Sequence, residues 1–255
     1  MRVYIYPTSF DNYVTEELKK ECMGTEISRV YGKTPCGQHF CFITSKAFWY
    51  AVRLIVDEEY RHLKIHREQG IPGISRGNGV IFSDDFLTRE RASNFVNEKL
   101  RKYSNGEFDT DAFRVRVLPM DVHQNPDRYL QPGDHIQRDM LGVLPISHDG
   151  VYLGNGEVAD ISGTSNNGGS SSSSSSSNSD NAKARNVSFR AFALSKNQEI
   201  RIIVHCFRRY SGVDICTRAR SFVTVNYGNG QYNFFTKNCQ HFATLCVTGK
   251  EFLTE

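Results

Sequence analysis

A chain of 255 residues, 39% apolar and 23% charged, has the composition of a globular protein with a buried core, and its formal net charge of +3, without zinc-finger, RNP or basic-helix spacing, gives no ground for nucleic-acid binding. The opening MRVYIYPTSFDNY lacks the apolar region of a signal peptide and no later segment offers 18 uninterrupted apolar residues, so a cytoplasmic protein is expected, neither secreted nor carrying a transmembrane anchor. Seven cysteines (22, 36, 41, 206, 216, 239 and 246) form an odd set without CxxC pairs, which argues for reduced thiols and against a disulfide framework or a zinc site.

The first half alternates element types. Arg2 to Tyr6, Phe40 to Thr44, Val80 to Phe82 and Phe113 to Leu118 read as strands. Between them, Ser45 can cap a long helix carrying Phe48, Val52, Ile55 and Leu63, and Ser83 or Asp84 can cap another from about Phe86 to Tyr103. This predicts a small α/β or α+β domain over residues 1–125, to which no chemistry attaches. Cys36 sits between Pro35 and Gly37, a turn entering a strand, which disfavours a reactive role. His62 and His66 share a helix face at i, i+4, yet no third ligand accompanies them, so no metal site is expected.

A polar stretch, Met120 to Gln131, marks the connection to a second domain over 126–255. There His148 precedes a strand, and Gly154-Asn155-Gly156 supplies a turn before Glu157 to Ser162. A two-residue loop at Asn155-Gly156 would put His148 on one face with Ala159 and Ile161. A three-residue loop with Gly156 left-handed shifts the pairing by one residue. Val151, Leu153, Ala159 and Ile161 then form an apolar face, while His148, Gly150, Tyr152, Asp160 and Ser162 share the other. Clean burial favours the second register, which makes His148 and Asp160 diagonal neighbours. Residues 162–182, with eight consecutive serines, cannot bury apolar area and read as a disordered insertion. Val187 to Leu194 and Glu199 to Phe207 resume strand character, and nine Lys or Arg between 183 and 220 form a basic stretch able to meet anionic lipid head groups.

The last element is a helix beginning at Cys239, capped by Asn238 and closed by Gly249. A cysteine in the first turn meets unsatisfied backbone N–H groups and the positive end of the helix dipole, which favour a thiolate nucleophile. His241, two residues on, points to nearly the opposite side and is a poor partner for it.

Three ordered blocks carry a resemblance. Asn238-Cys239-Gln240-His241-Phe242, preceded by Arg218-Ala219-Arg220-Ser221, resembles the NC-E/Q-HF box of the lecithin retinol acyltransferase family, which includes the H-Ras-like suppressor phospholipase/acyltransferases and is related to the NlpC/P60 peptidases. Pro132-Gly133-Asp134-His135-Ile136 resembles its PGD-x-I strand, and His148 to Gly156 its H-x-x-x-Y-x-G-x-G hairpin. The resemblance implies an α+β chain with a C-terminal NlpC/P60-like (papain-like, permuted) domain: antiparallel sheet, nucleophile helix, no cofactor. It further implies a thiol acyltransferase or phospholipase acting on an acyl donor, lipid in class, with peripheral membrane contact. Cys239 would be the nucleophile, His148 the general base and Asp160 the orienter, with Tyr152 and Asn238 as candidate oxyanion or supporting groups. Vertebrate members carry a second histidine where Asp160 stands. The carboxylate is closer to a protease triad, so an NlpC/P60-like amidase is an alternative, as is a non-catalytic scaffold with a vestigial site.

Overall fold

The computed structural model describes residues 8–21, 24–57, 80–109, 111, 113–140, 147–163, 182–233 and 237–254. The strand expected at Arg2–Tyr6, the histidines 62 and 66, Leu63, and positions 164–181 of the serine-rich segment lie outside them. The chain divides into two compact units: Met1–Arg116 with Val204–Arg209, and Val117–Ile203 with Tyr210–Glu255.

In the first unit, helix α1 (Thr8–Glu21) precedes strands β1 (Thr25–Lys33), β2 (His39–Lys46), β3 (Tyr50–Val56) and β4 (Val80–Phe86), and helix α2 (Arg89–Ser104) follows. The strands are antiparallel neighbours in chain order. Strand alternation sorts their side chains. Phe40, Phe42, Val52, Leu54 and Val56 pack with Ala92, Val96 and Tyr103 of α2, while Cys41, Ile43 and Ile55 meet Phe10, Tyr13 and Val14 of α1. The sheet is therefore covered on both faces. Of the two arrangements expected, α/β and α+β, this is α+β, because β2 and β3 are joined by three residues, too few for the crossover that parallel pairing needs.

The same hairpin replaces the helix expected from Ser45. Val52 and Ile55 have helical spacing, but they lie within the continuous run YAVRLIV, buried on both faces, and cross-strand pairing decides its conformation. Phe48, expected to face inward, is 94% exposed in the turn. The cap of α2 is Thr88, whose hydroxyl accepts from the Arg91 N–H, downstream of the serine and aspartate expected.

The second unit holds strands β6 (His135–Asp139), β7 (Ser147–Gly154), β8 (Glu157–Gly163) and β9 (Ala182–Ser188), with the first residues of β10 (Ile200–His205), side by side in the order β10-β6-β7-β8-β9; β5 (Phe113–Val117) ends just as this unit begins. Every pairing from β10 to β9 is antiparallel. The strand expected over Val187–Leu194 stops at Ser188, whose hydroxyl caps a short helix, α3 (Phe189–Ala193). Helices α4 (Gly212–Thr224) and α5 (Cys239–Thr248) pack on one face of the sheet. Ile215, Cys216 and Ala219 of α4, and Phe242, Ala243, Cys246 and Val247 of α5, close over Val151, Leu153, Ala159 and Ile161. Gly133 and Gly212 permit a close backbone approach. A Cβ on Gly133 would meet the Cα of Gly212 at 2.7 Å, and one on Gly212 the carbonyl of Pro132 at 2.4 Å. None of the described helices is long and apolar enough to cross a membrane.

Candidate active site

Helix α5 starts where the sequence places it. The Asn238 side-chain oxygen accepts from the N–H groups of Gln240 at 3.0 Å and His241 at 3.2 Å, and the His241 side chain returns to Asn238, making a capping box. Gly249 closes the helix with φ +74°. Cys239 thus occupies the first turn, buried, with its sulfur 3.9 Å from the Ser147 carbonyl oxygen at the head of β7. His241 belongs to the cap, and burial holds its pKa below the ordinary histidine value.

The hairpin takes the second of the two expected registers, but not through a three-residue loop: Gly154 pairs with Glu157 across the two-residue turn Asn155-Gly156, and a bulge at Leu153 supplies the one-residue shift. Gly150 pairs with Asp160, Val151 with Ala159 and Tyr152 with Val158, then a bulge leads into a turn in which Gly154, Asn155 and Gly156 all have positive φ. His148 and Asp160 therefore lie diagonally on one face, and the imidazole Nε2 is 2.9 Å from Asp160 Oδ2. The second carboxylate oxygen, Oδ1, accepts from Arg185 Nε at 3.0 Å, from the residue directly opposite on β9. With Nε2 on Asp160, Nδ1 is the ring nitrogen left over, and the imidazole lies near enough to feel the charge of Cys239.

The electrostatics follow from burial and charge. Burial alone would lower the pKa of His148; the charge of Cys239, then the Asp160 hydrogen bond, outweigh it and raise the value to about 9. Burial likewise opposes ionisation of Asp160, yet His148 and then Arg185 hold its pKa below the ordinary carboxylate value. The Phe192 ring packs on the imidazole with centroids 5.4 Å apart. Arg138, opposite His148 on β6, extends under the same ring and donates to the Phe192 carbonyl at 2.5 Å. Tyr232 lies near enough to feel the Cys239 charge, and burial first, then that charge, raise its pKa to about 12. Cys246, two turns further along the same helix face in the core, has its thiol pKa pushed up by burial.

Cys239, His148 and Asp160 thus come together, and Asn238 stands beside them as the helix cap. Tyr152 does not join them. Its hydroxyl donates to Asp127 Oδ1 at 2.6 Å and accepts from the Gly156 N–H at 2.9 Å, while Asn155 N also donates to Asp127. Four residues along a strand separate it from His148 by about 13 Å, so it fastens the turn and stands away from the clustered side chains. Among the described residues no three His, Cys, Asp or Glu side chains stand together as metal ligands.

Sequence reading missed Arg185, Arg138 and Phe192, which reach the site from strands or a helix beyond hairpin range. It also missed a polar cluster behind the site. Asp149, fully buried, accepts from His135 Nε2 at 2.7 Å, from Ser147 Oγ at 3.0 Å and from Thr254 Oγ1 at 2.9 Å. The alternation of β7, which turns Ser147 and Asp149 away from the His148 face, was the available signal.

Residues 128–252 match the family model described as lecithin retinol acyltransferase. This region belongs to the lecithin retinol acyltransferase family. The lecithin retinol acyltransferase region contains the whole hairpin, helices α3, α4 and α5 and the three clustered side chains. Membership suggests acyltransferase or phospholipase-like chemistry. No curated protein and no solved structure matches the chain.

Proposed function

We propose that the chain is a thiol acyltransferase or phospholipase working through an acyl-enzyme on Cys239, in a permuted papain-like domain. The observation that carries this reading is the shared imidazole: Nε2 is held by Asp160 at 2.9 Å, which leaves Nδ1 for a thiol at the head of a helix. In the first step His148 takes the thiol proton and the thiolate attacks an ester carbonyl. The developing oxyanion lies beside backbone N–H groups of the first turn of α5, and the leaving group departs with the proton from His148. In the second step His148 deprotonates an alcohol, amine, lysolipid or water, which takes the acyl group and frees the thiol. Asp160 remains ionised throughout, fixing the tautomer and stabilising the imidazolium.

A lipid acyl donor accords with the family, and a cytoplasmic, peripheral location accords with the basic stretch. Several of its cations are engaged internally: Arg185 with Asp160, Arg201 with Asp139 and Glu199, and Arg218 over the Tyr210 ring. Arg190, Lys196, Arg209 and Arg220 stay exposed and are the residues on which head-group contact would rest. The carboxylate at position 160 favours a second reading, an NlpC/P60-like amidase, and a panel of phospholipids against peptide amides separates the two.

Mixing the protein with an activated ester is expected to give a burst of one acyl group, mapped to Cys239, with the rate falling by at least ~100-fold in His148→Gln. Labelling that persists in Cys239→Ala would reject the nucleophile and leave the scaffold reading.

A further inference from the structure

We infer that Gln240 and Ser147 form a directional clamp that sets Cys239 against His148, and that the buried acid at Asp149 dictates glutamine at position 240. Each member of the clamp is the chain neighbour of a reacting residue, Gln240 of Cys239 and Ser147 of His148. Their side chains meet on the far side of the sheet from the imidazole, Gln240 Nε2 donating to Ser147 Oγ at 2.8 Å. That bond joins the first turn of α5 to the head of β7 at the place where thiol and imidazole must meet. The inference rests on the catalytic reading above, since it assigns a positioning role to residues that touch no substrate.

The direction of every bond is fixed by one group. The Asp149 oxygens face His135 Nε2, Gln137 Nε2 and Thr254 Oγ1, an acceptor's surroundings, so the Ser147 hydroxyl spends its single proton on Oδ1, at 3.0 Å. The lone pairs of Ser147 are then left for donors, and both arrive: Gln240 Nε2 at 2.8 Å and Gln137 Nε2 at 3.0 Å. Gln240 must therefore turn its NH2 toward Ser147 and its carbonyl the other way, where it accepts from the Thr254 N–H at 3.0 Å. Thr254 closes the circuit through its hydroxyl on Asp149 Oδ2 at 2.9 Å, beside His135 Nε2 at 2.7 Å. The members are buried, Gln240 to 2% exposure and Asp149 to 0%, so water does not substitute for a broken link.

A glutamate at 240 is nearly the same shape as glutamine but is acceptor-only when ionised. It would face a serine oxygen whose proton is already given to Asp149, setting lone pairs against lone pairs. The conflict disappears if position 149 becomes an amide. The Ser147 proton is then free to turn to position 240, and the buried negative charge simply moves from one end of the circuit to the other. A pure packing role for Gln240 has no such dependence on position 149.

The experiment measures iodoacetamide alkylation of Cys239 against pH by mass spectrometry, with Cys246 in the same molecule as the reference thiol, for the wild type, Gln240→Glu, Asp149→Asn and the double variant. The expected result is alkylation of wild-type Cys239 at pH 6 well ahead of Cys246, a loss of ~10-fold or more in Q240E as the thiol–imidazole geometry loosens, and recovery to within about threefold in Q240E/D149N. Q240E alkylated like wild type, or a double variant no faster than Q240E, overturns the clamp. Wild-type Cys239 no faster than Cys246 overturns the catalytic reading itself, a different failure that the reference thiol makes visible. Should Q240E not fold, Ser147→Ala removes the same link. A loss of alkylation at pH 6 with native circular dichroism supports the clamp, and an unchanged pH profile rejects it.

Discussion

His148 shows how opposed effects settle at a single side chain. Its raised pKa, about 9 against an ordinary 6.5, means that the stability it contributes is fully present below pH 6.5 and is lost as pH rises through 9. Asp160 runs the other way. Its lowered pKa contributes stability above the ordinary carboxylate value of 3.8, lost as pH falls through the lower folded value. The stability difference between wild type and His148→Gln should therefore be largest between about pH 4 and 6.5 and fade toward 9, as chemical denaturation across that range would show. Arg185 is expected to act on the acid side alone. In Arg185→Gln the Asp160 ionisation moves up toward 3.8, and the lost stability appears above that pH while the alkaline limb stays where it was. A shift in the alkaline limb would mean that Arg185 acts on His148 directly. Arg185 was not legible in the sequence, because the serine-rich segment between β8 and β9 hides which residue falls opposite Asp160.

The β7–β8 hairpin was the most legible element. Gly154-Asn155-Gly156 marked the turn without deciding its length, and alternation of Val151, Leu153, Ala159 and Ile161 chose the register, which places His148 beside Asp160; the bulge at Leu153 that sets this register under a two-residue turn was not legible, because no residue type there demands it. Helix α5 was equally plain, since Asn238 and Gly249 bracket it. The hairpin of β2 and β3 was misread as a helix because a run buried on both faces carries no alternation, and Val52 and Ile55 then mimic helical spacing. Within β7, Gly150 is a further positioning device. A Cβ there would stand 2.8 Å from Val158 Cγ1 and 3.0 Å from the Phe192 ring, which packs on His148. Gly150→Ala should cost ~1–3 kcal/mol in unfolding free energy by overpacking, and a Phe192→Ala background should relieve part of that cost, since the Val158 methyl and the Ala159 carbonyl oxygen still crowd the new Cβ. Additive losses in the double variant would show that Phe192 is not the obstacle.

At the scale of the molecule, the division into units does not follow a single cut in the chain. Val204–Arg209 belongs with the first unit although the residues on both sides belong with the second. Phe207 makes the point: its ring stacks on Phe108 at 4.5 Å and meets Tyr103 at 4.7 Å, inside the core that also holds Phe40 and Phe42. Phe207→Ala should cost about 3–5 kcal/mol of the first unit's stability. A fragment ending at Arg116 should bind a hydrophobic dye and lose its cooperative melt, whereas a sharp melt would show that this unit needs nothing from the later chain. The linker expected between the units was misplaced for the same reason. Its residues Val122, Tyr129 and Leu130 are buried, and the chain crosses between units at three places where sequence patterning suggests one. A gene rearranged at one breakpoint cannot hand the acyltransferase-like half to a new host cleanly, for either the donor loses six residues from its core or the recipient carries an orphaned phenylalanine. The two halves are expected to be inherited together, and to be gained or lost in descent only as a pair.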